Sequence, residues 1–305
     1  MIPANRRRVS ICDNAEMDAA AATARAFDAL SRPRMVALDS LALIEVGGED
    51  AREFLQAQLG GDVGAAQPER AQLNAYCNPK GRVIAALRLI PRAEGFWLVA
   101  PAELADKLIL RLKMFVLRAK VEIARSQSQL FGAINCNGEE GISHAELDGD
   151  TAVSRKILIG APAEKSAEKT DAFWRLADIL AGLPQVYAPT AEQFLPQALN
   201  LDLTGGVSFT KGCFPGQEIV ARLRHRGKVK QRMFALFLPD ATPPAPGAPL
   251  LAEDSEQKIG QVVDAVACDG GSIAGVVLPA AAPDGAKNSA RIKLPYEIPE
   301  TAEAA

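Results

Sequence analysis

One thiol in the chain is set up for chemistry. Cys213 lies within SFTKGCFPGQEIVARLRHRGKVKQR (208–232), after Lys211 and Gly212 and two residues ahead of a Pro215-Gly216 turn. From Gln217 onward the residues are helix-competent, so the cysteine falls just ahead of a helix amino terminus. Free N–H groups at such an end, together with Lys211 and the arginines that follow, favour a thiolate. A thiolate can attack carbon, ligate a metal or cluster, or undergo reversible oxidation. The same residues suit a small buried hydrophobe in a turn equally well. A nucleophile–base pair with His225 has little support, because the two are twelve residues apart and no third group orients them.

The rest of the chain narrows the choices. The five cysteines, Cys12, Cys77, Cys136, Cys213 and Cys268, are scattered and contain no C-x-x-C pair. That argues against a disulfide framework and against a preformed four-cysteine zinc or iron–sulfur site. His144 and His225 are the only histidines, too few for a histidine-rich metal site. A reducing compartment follows, hence a cytoplasmic location, with the mitochondrial matrix as the alternative. Arg6, Arg7 and Arg8 before an Ala-rich stretch resemble a transit peptide, but Asp13, Glu16 and Asp18 spoil that composition. Residues 1–35 therefore read as a poorly ordered tail. No apolar run approaches the ~20 residues of a membrane helix, so no membrane partner is expected.

Charge is uneven. Between Lys211 and Arg232 there are seven Lys/Arg and one Glu, a net of +6 on a chain whose total is −3. Such a strip fits either a solvated helix face or the rim of a site for an anionic ligand or partner. It carries almost no aromatics, which speaks against a nucleic-acid stacking platform.

These residues need a scaffold, and 305 residues exceed one ordinary core. The pattern predicts a first α+β domain over 36–125. Its strands are expected at 36–46, 71–77, 81–91, 95–100 and 121–124, with helices at 49–59 and 102–117. A second α+β domain, 126–238, carries strands at 129–135 and 155–159, a polar loop at 161–170, a helix at 171–182 and the cysteine motif. The Pro-rich run 240–250 reads as a rigid linker. Short strands at 258–268, 272–279 and 290–294 then make a small β domain over 239–305. No internal repeat of fixed period appears.

KGCFPGQE (Lys211–Glu218) resembles the signature of the YgfZ family of folate-binding proteins, relatives of the glycine-cleavage aminomethyltransferase. GGEDAREFLQAQLGGDV (47–63), NPKGRVIAALRL (78–89) and FLPQALNL (194–201) agree in order. The resemblance implies an α+β fold of aminomethyltransferase-like type. In it, two ferredoxin-like units and a small C-terminal β-barrel form a three-domain ring around a tetrahydrofolate channel. It implies an accessory protein for the assembly or maintenance of iron–sulfur enzymes, including tRNA-modifying ones, without turnover of its own. Its partners would be folate and iron–sulfur enzymes or cluster carriers, with tRNA reached only indirectly and no direct DNA contact.

On this resemblance Cys213 is the functional thiol and a transient cluster ligand. Lys211 biases the thiol or binds folate glutamates, and Gln217 and Glu218 set the turn. Folate contacts fall to Trp174, Leu41, Asp62, Arg82, Gln197, Asn200 and Arg222. Leu41 stands where a tryptophan is usual and Gly60 where a threonine is usual. An aminomethyltransferase would carry an acidic residue on the strand after the NPKGR turn. Residues 78–93 contain none, with Ile84, Ala85 and Ala86 in the relevant stretch. A methyl group cannot hold a proton or steady a cationic amine. The alternative is a tetrahydrofolate-dependent aminomethyl or one-carbon transferase.

Overall fold

The computed structural model describes residues 11–68, 70–136, 142–143, 153–160, 167–239, 242–251, 257–281 and 290–299. In chain order the elements are α1 (Ile11–Ser31), β1 (Arg34–Ala37), β2 (Leu41–Gly47), α2 (Ala51–Gln58), β3 (Gln72–Cys77), β4 (Val83–Arg92) and β5 (Gly95–Pro101). There follow α3 (Ala102–Lys113), β6 (Glu122–Arg125), β7 (Leu130–Ile134), β8 (Ile142–Ser143), β9 (Arg155–Ile159), α4 (Ala172–Leu180) and α5 (Gln217–Arg226). The chain ends in β10 (Gln231–Pro239), β11 (Pro249–Leu251), β12 (Lys258–Cys268), β13 (Gly271–Pro279) and β14 (Ala290–Ile292).

The first sheet runs β3-β4-β5-β2-β6, antiparallel throughout. Its element order, β-α-β-β-β-α-β, has one strand more than a ferredoxin-like unit. One face lies under α2 and α3, through Phe54, Leu55, Leu104 and Leu108. The other face, with Leu43, Ala75, Val83, Ala86 and Ile90, enters a core shared with the rest of the molecule. Burial on both faces explains why β4 reads as a nearly continuous apolar run.

The second sheet, β1-β7-β9-β8, is backed by α4; the third, β11-β12-β13-β10-β14, is again antiparallel. Three expectations change here. The single strand 36–46 is two strands, β1 in the second sheet and β2 in the first, divided by a turn at Asp39-Ser40. Alternating hydrophobicity runs through the turn, so the pattern alone cannot show where the chain changes sheets. Residues 231–238, placed by sequence in the second domain, belong to β10, which pairs with β13 and β14 in the third sheet. Residues 11–31, expected in a poorly ordered tail, form α1, which packs on β10, β14 and α4 with Ala19, Ala22, Ala26 and Leu30 buried. A stripe made mostly of alanine has too little hydrophobic contrast to stand out. Arg6 to Arg8 and His144 lie outside the described residues, as does most of the expected loop at 161–170. Its described end adds to the second sheet, where Glu168 O accepts from Ala37 N at 2.9 Å.

Two polar clusters join the units. Arg88 of β4 and Arg155 of β9 both reach Asp178 of α4, at 2.5 and 2.6 Å, and Arg88 also donates to Gln185 Oε1 at 2.8 Å. In the third sheet a register shift between Val262 and Asp264 turns the Asp264 carboxylate toward Arg175 of α4 and the Tyr187 hydroxyl. Burial raises Asp264 above the usual carboxylate range, while its bonds to Arg175 and Tyr187 oppose that shift.

Candidate functional site

The cysteine motif is held by a contact between two turns. In the β3–β4 turn, Asn78 Oδ1 accepts from the amides of Lys80 and Arg82 at 2.9 and 3.0 Å. Asn78 Nδ2 donates to Glu192 at 2.6 Å. Gly81 at its tip has φ +72° and Gly216, just before α5, has φ +80°. A Cβ on Gly216 would stand 2.5 Å from Asn78 O and from the N and Cα of Gly81. Both the left-handed conformation and this close approach demand glycine.

Cys213 is exposed. It lines a shallow, open depression of ≈ 450 Å³ with Pro79, Phe214, Gly216, Gln217, Glu218 and Ala221. Gln217 opens α5 and donates its amide to Phe214 O at 3.1 Å, closing the turn that carries the cysteine. Glu218 is exposed in the first helical turn. His225 lies eight residues past Gln217, about 12 Å along the helix axis, at the end away from the cysteine.

Lys211 is committed elsewhere. Its Nζ donates to three carbonyls at the carboxyl end of α2: Gln56 O at 2.5 Å, Leu59 O at 2.6 Å and Gly61 O at 3.1 Å. An ammonium has three donors, so none is left for a folate carboxylate. A cation here also complements the helix dipole. Burial depresses Lys211 to about 8, with nearby Asp62 acting against that shift. Asp62 is likewise a local brace, accepting from Gly64 N at 3.0 Å and Gln56 Nε2 at 2.9 Å. Gly60 uses its backbone, donating to Ala75 O at 2.7 Å and accepting from Ser208 N at 2.9 Å.

Behind α5 lies a second, interior group. Gln197 Nε2 donates to Val220 O at 2.8 Å, and Asn200 Nδ2 donates to Met233 O at 2.7 Å and Tyr296 Oη at 3.1 Å. Arg232 Nη1 donates to Gln197 O at 2.9 Å and Asp202 Oδ1 at 2.6 Å. Four buried atoms here, Gln197 Oε1, Asn200 Oδ1, Asp202 Oδ2 and Arg232 Nη2, have no partner among the described residues. Of this group, the sequence reading named Gln197 and Asn200 but not Asp202, Arg232 or Tyr296. Arg232 was legible in principle: it occupies an apolar-facing position of QRMFALFLP, yet it counts toward the basic strip when charges are merely summed.

The other candidates are held by different contacts. Trp174 is 1% exposed, and a Cβ on Gly132 of β7 would come within 2.4 Å of its Cε3, so the indole is packed on the second sheet. Arg155 stands over its ring at 5.2 Å. Leu41 is buried at the start of β2 opposite Pro101. Arg82 is exposed and donates to Gln193 O at 2.6 Å, while Arg222 is exposed on α5.

No protein-family model matches the chain. Among curated proteins it is 31% identical to the tRNA-modifying protein YgfZ of Photorhabdus laumondii, over 74% of this chain and 76% of that one. It is 29% identical to the protein of the same name from Cronobacter sakazakii, over 78% and 82%. An uncharacterized Haemophilus influenzae protein is 33% identical over 78% and 86%. Among solved structures, the glycine cleavage system aminomethyltransferase T of Bartonella henselae shares the fold. The TM-score is 0.59 at 17% identity, covering 84% of this chain and 81% of that one. With the KGCFPGQE turn in place and relatives at this level over three quarters of its length, the chain belongs to the YgfZ family.

Proposed function

We propose that the protein is a folate-binding accessory factor for iron–sulfur enzymes, including those that modify tRNA, and that Cys213 is its working thiol. One observation carries this reading: an exposed cysteine sits on one side of α5, and a buried, unsatisfied polar group lies directly behind that helix. Gln197, bonded to Val220 O, connects the two. The acceptors Gln197 Oε1, Asn200 Oδ1 and Asp202 Oδ2 and the donor Arg232 Nη2 suit a ligand edge that offers both donors and acceptors, as a pterin does. Tetrahydrofolate therefore fits this chain's residues. When bound it would supply a one-carbon carrier, and the protein's part is to hold and orient its polar edge.

On this reading the three sheets form a ring around the folate channel, with the third as a small barrel. An iron–sulfur cluster would be cargo. Among the described residues no group of three His, Cys, Asp or Glu is gathered, so Cys213 would share a cluster with ligands from a client or carrier protein. Aminomethyl transfer is disfavoured because β4 carries no carboxylate.

The test has two arms. Tetrahydrofolate should bind the wild type and Cys213→Ala alike, and Asp202→Asn more weakly. In cells lacking the gene and under oxidative stress, only the wild type should restore iron–sulfur enzyme activities. Full rescue by Cys213→Ala would make the thiol structural. Turnover of an aminomethyl-lipoyl carrier would establish the transferase instead.

A further inference from the structure

Few aromatics occur in the basic run, but the fold brings one to it from outside. Phe209 lies under Arg224 of α5, with the guanidinium carbon 4.2 Å from the ring centroid. We propose that the outer face of α5, continued by Lys228 and Lys230 and flanked by Lys80 of the β3–β4 turn, binds the phosphate backbone of an RNA and leads it past the Cys213 depression. This goes beyond the folate reading and does not depend on it.

Three observations support the surface. First, its cations are unspent. Arg222, Arg224, Lys228, Lys230 and Lys80 make no ion pair among the described residues. Elsewhere Arg25, Arg32, Arg34, Arg92, Lys120 and Arg125 are each paired with a carboxylate, whereas Glu218, the one acid of α5, pairs with none of these cations among the described residues. Lys211 and Arg232 turn inward, so the strip is smaller than the charge count suggests, and the cations that remain lie on its surface.

Second, the cations adjoin the depression. Gln217, Glu218 and Ala221 line it, and Arg222, Arg224 and His225 continue the same helical faces at spacings of three and four. Lys80 follows Pro79 on the opposite wall. Third, the Arg224–Phe209 pair offers a flat cationic and aromatic surface on which a base can stack. An interfacial membrane helix would need an apolar face, and a protein interface an apolar centre. Here Ile219, 40% exposed, is the one large hydrophobic of α5 open to solvent.

The experiment is a titration of full-length protein against end-labelled bulk tRNA by fluorescence anisotropy, from 50 to 300 mM salt. Affinity should fall linearly on logarithmic axes. Arg222→Glu with Lys228→Glu and Lys230→Glu should weaken binding at least tenfold and lower the slope by about two. Phe209→Ala should weaken binding about fivefold with the slope unchanged. Circular dichroism melts of the variants check that the fold is kept. No binding at 50 mM salt, or equal binding by the triple variant, overturns the proposal. So does capture of a poly-glutamate peptide or phosphatidylglycerol vesicles in place of tRNA. Tetrahydrofolate titrated into the same preparation separates the two readings: folate binding without tRNA binding sinks only this inference, and the reverse sinks only the folate reading.

Discussion

Gly216 and Gly81 stand backbone against backbone, so close that a Cβ on Gly216 would lie 2.5 Å from the amide nitrogen of Gly81. Cys213 thus takes its position from a contact between the cysteine motif and the first sheet's β3–β4 turn. Gly216→Ala should cost about 1–2 kcal/mol for its left-handed conformation alone, and more because the turn must move. Gly205→Ala separates the terms, since Gly205 has φ +78° with nothing within 4 Å of an added Cβ. A urea midpoint lower for Gly216→Ala than for Gly205→Ala is the expected result.

Lys211→Met should destabilise by about 1–3 kcal/mol, because three carbonyls at the end of α2 lose their donor. The pH dependence has a definite sign. Lys211 titrates near 8 in the folded protein, below the ~10.4 of an unfolded lysine. Between those values the unfolded chain binds more protons, so this group makes stability rise with pH there. Unfolding curves of wild type and Lys211→Met across pH 8–10 should show that slope only in the wild type.

Asp178→Asn removes the carboxylate shared by two fully buried guanidinium groups, Arg88 and Arg155. Breaking a buried pair from one side costs about 3–5 kcal/mol. A calorimetric melt should show that loss, and far less for Asp28→Asn, whose ion pair with Arg32 is solvent-exposed.

Thiol reactivity should divide sharply. Cys213 is exposed, whereas Cys77 is buried at the end of β3 with its thiol pushed up to about 12 by desolvation. A thiol-specific chromogenic reagent should give a fast phase that vanishes in Cys213→Ala and persists in Cys77→Ser. A fast phase surviving in Cys213→Ala would place the reactive thiol elsewhere.

The first sheet and its helices were legible because α2 and α3 carry strong apolar stripes and β3, β4 and β5 are bounded by glycine turns. The turn around Cys213 was legible from Gly212, Pro215 and Gly216. What side chains do at long range was not. Lys211 reads as an active-site cation, but its partners lie about 150 residues earlier in the chain. Trp174 reads as a ligand-stacking ring, and only the fold shows Gly132 closing on it. Asp202 and Arg232 are thirty residues apart and become a pair only when β10 leaves the second unit for the third sheet.

Helix α1 has a consequence for synthesis. It leaves the ribosome well before β14, against which it packs and which spans Ala290–Ile292. At about 5–20 residues per second the helix waits on the order of ten seconds to a minute for its seat. A stripe of leucines exposed that long would invite aggregation. Among the described side chains of α1, the fully buried ones are Ala19, Ala22, Ala26 and Leu30, with Phe27 half-buried beside them, a largely alanine surface that is mild while it waits. The weak pattern that hides this helix from sequence reading is also what lets it stay soluble until the last strand arrives.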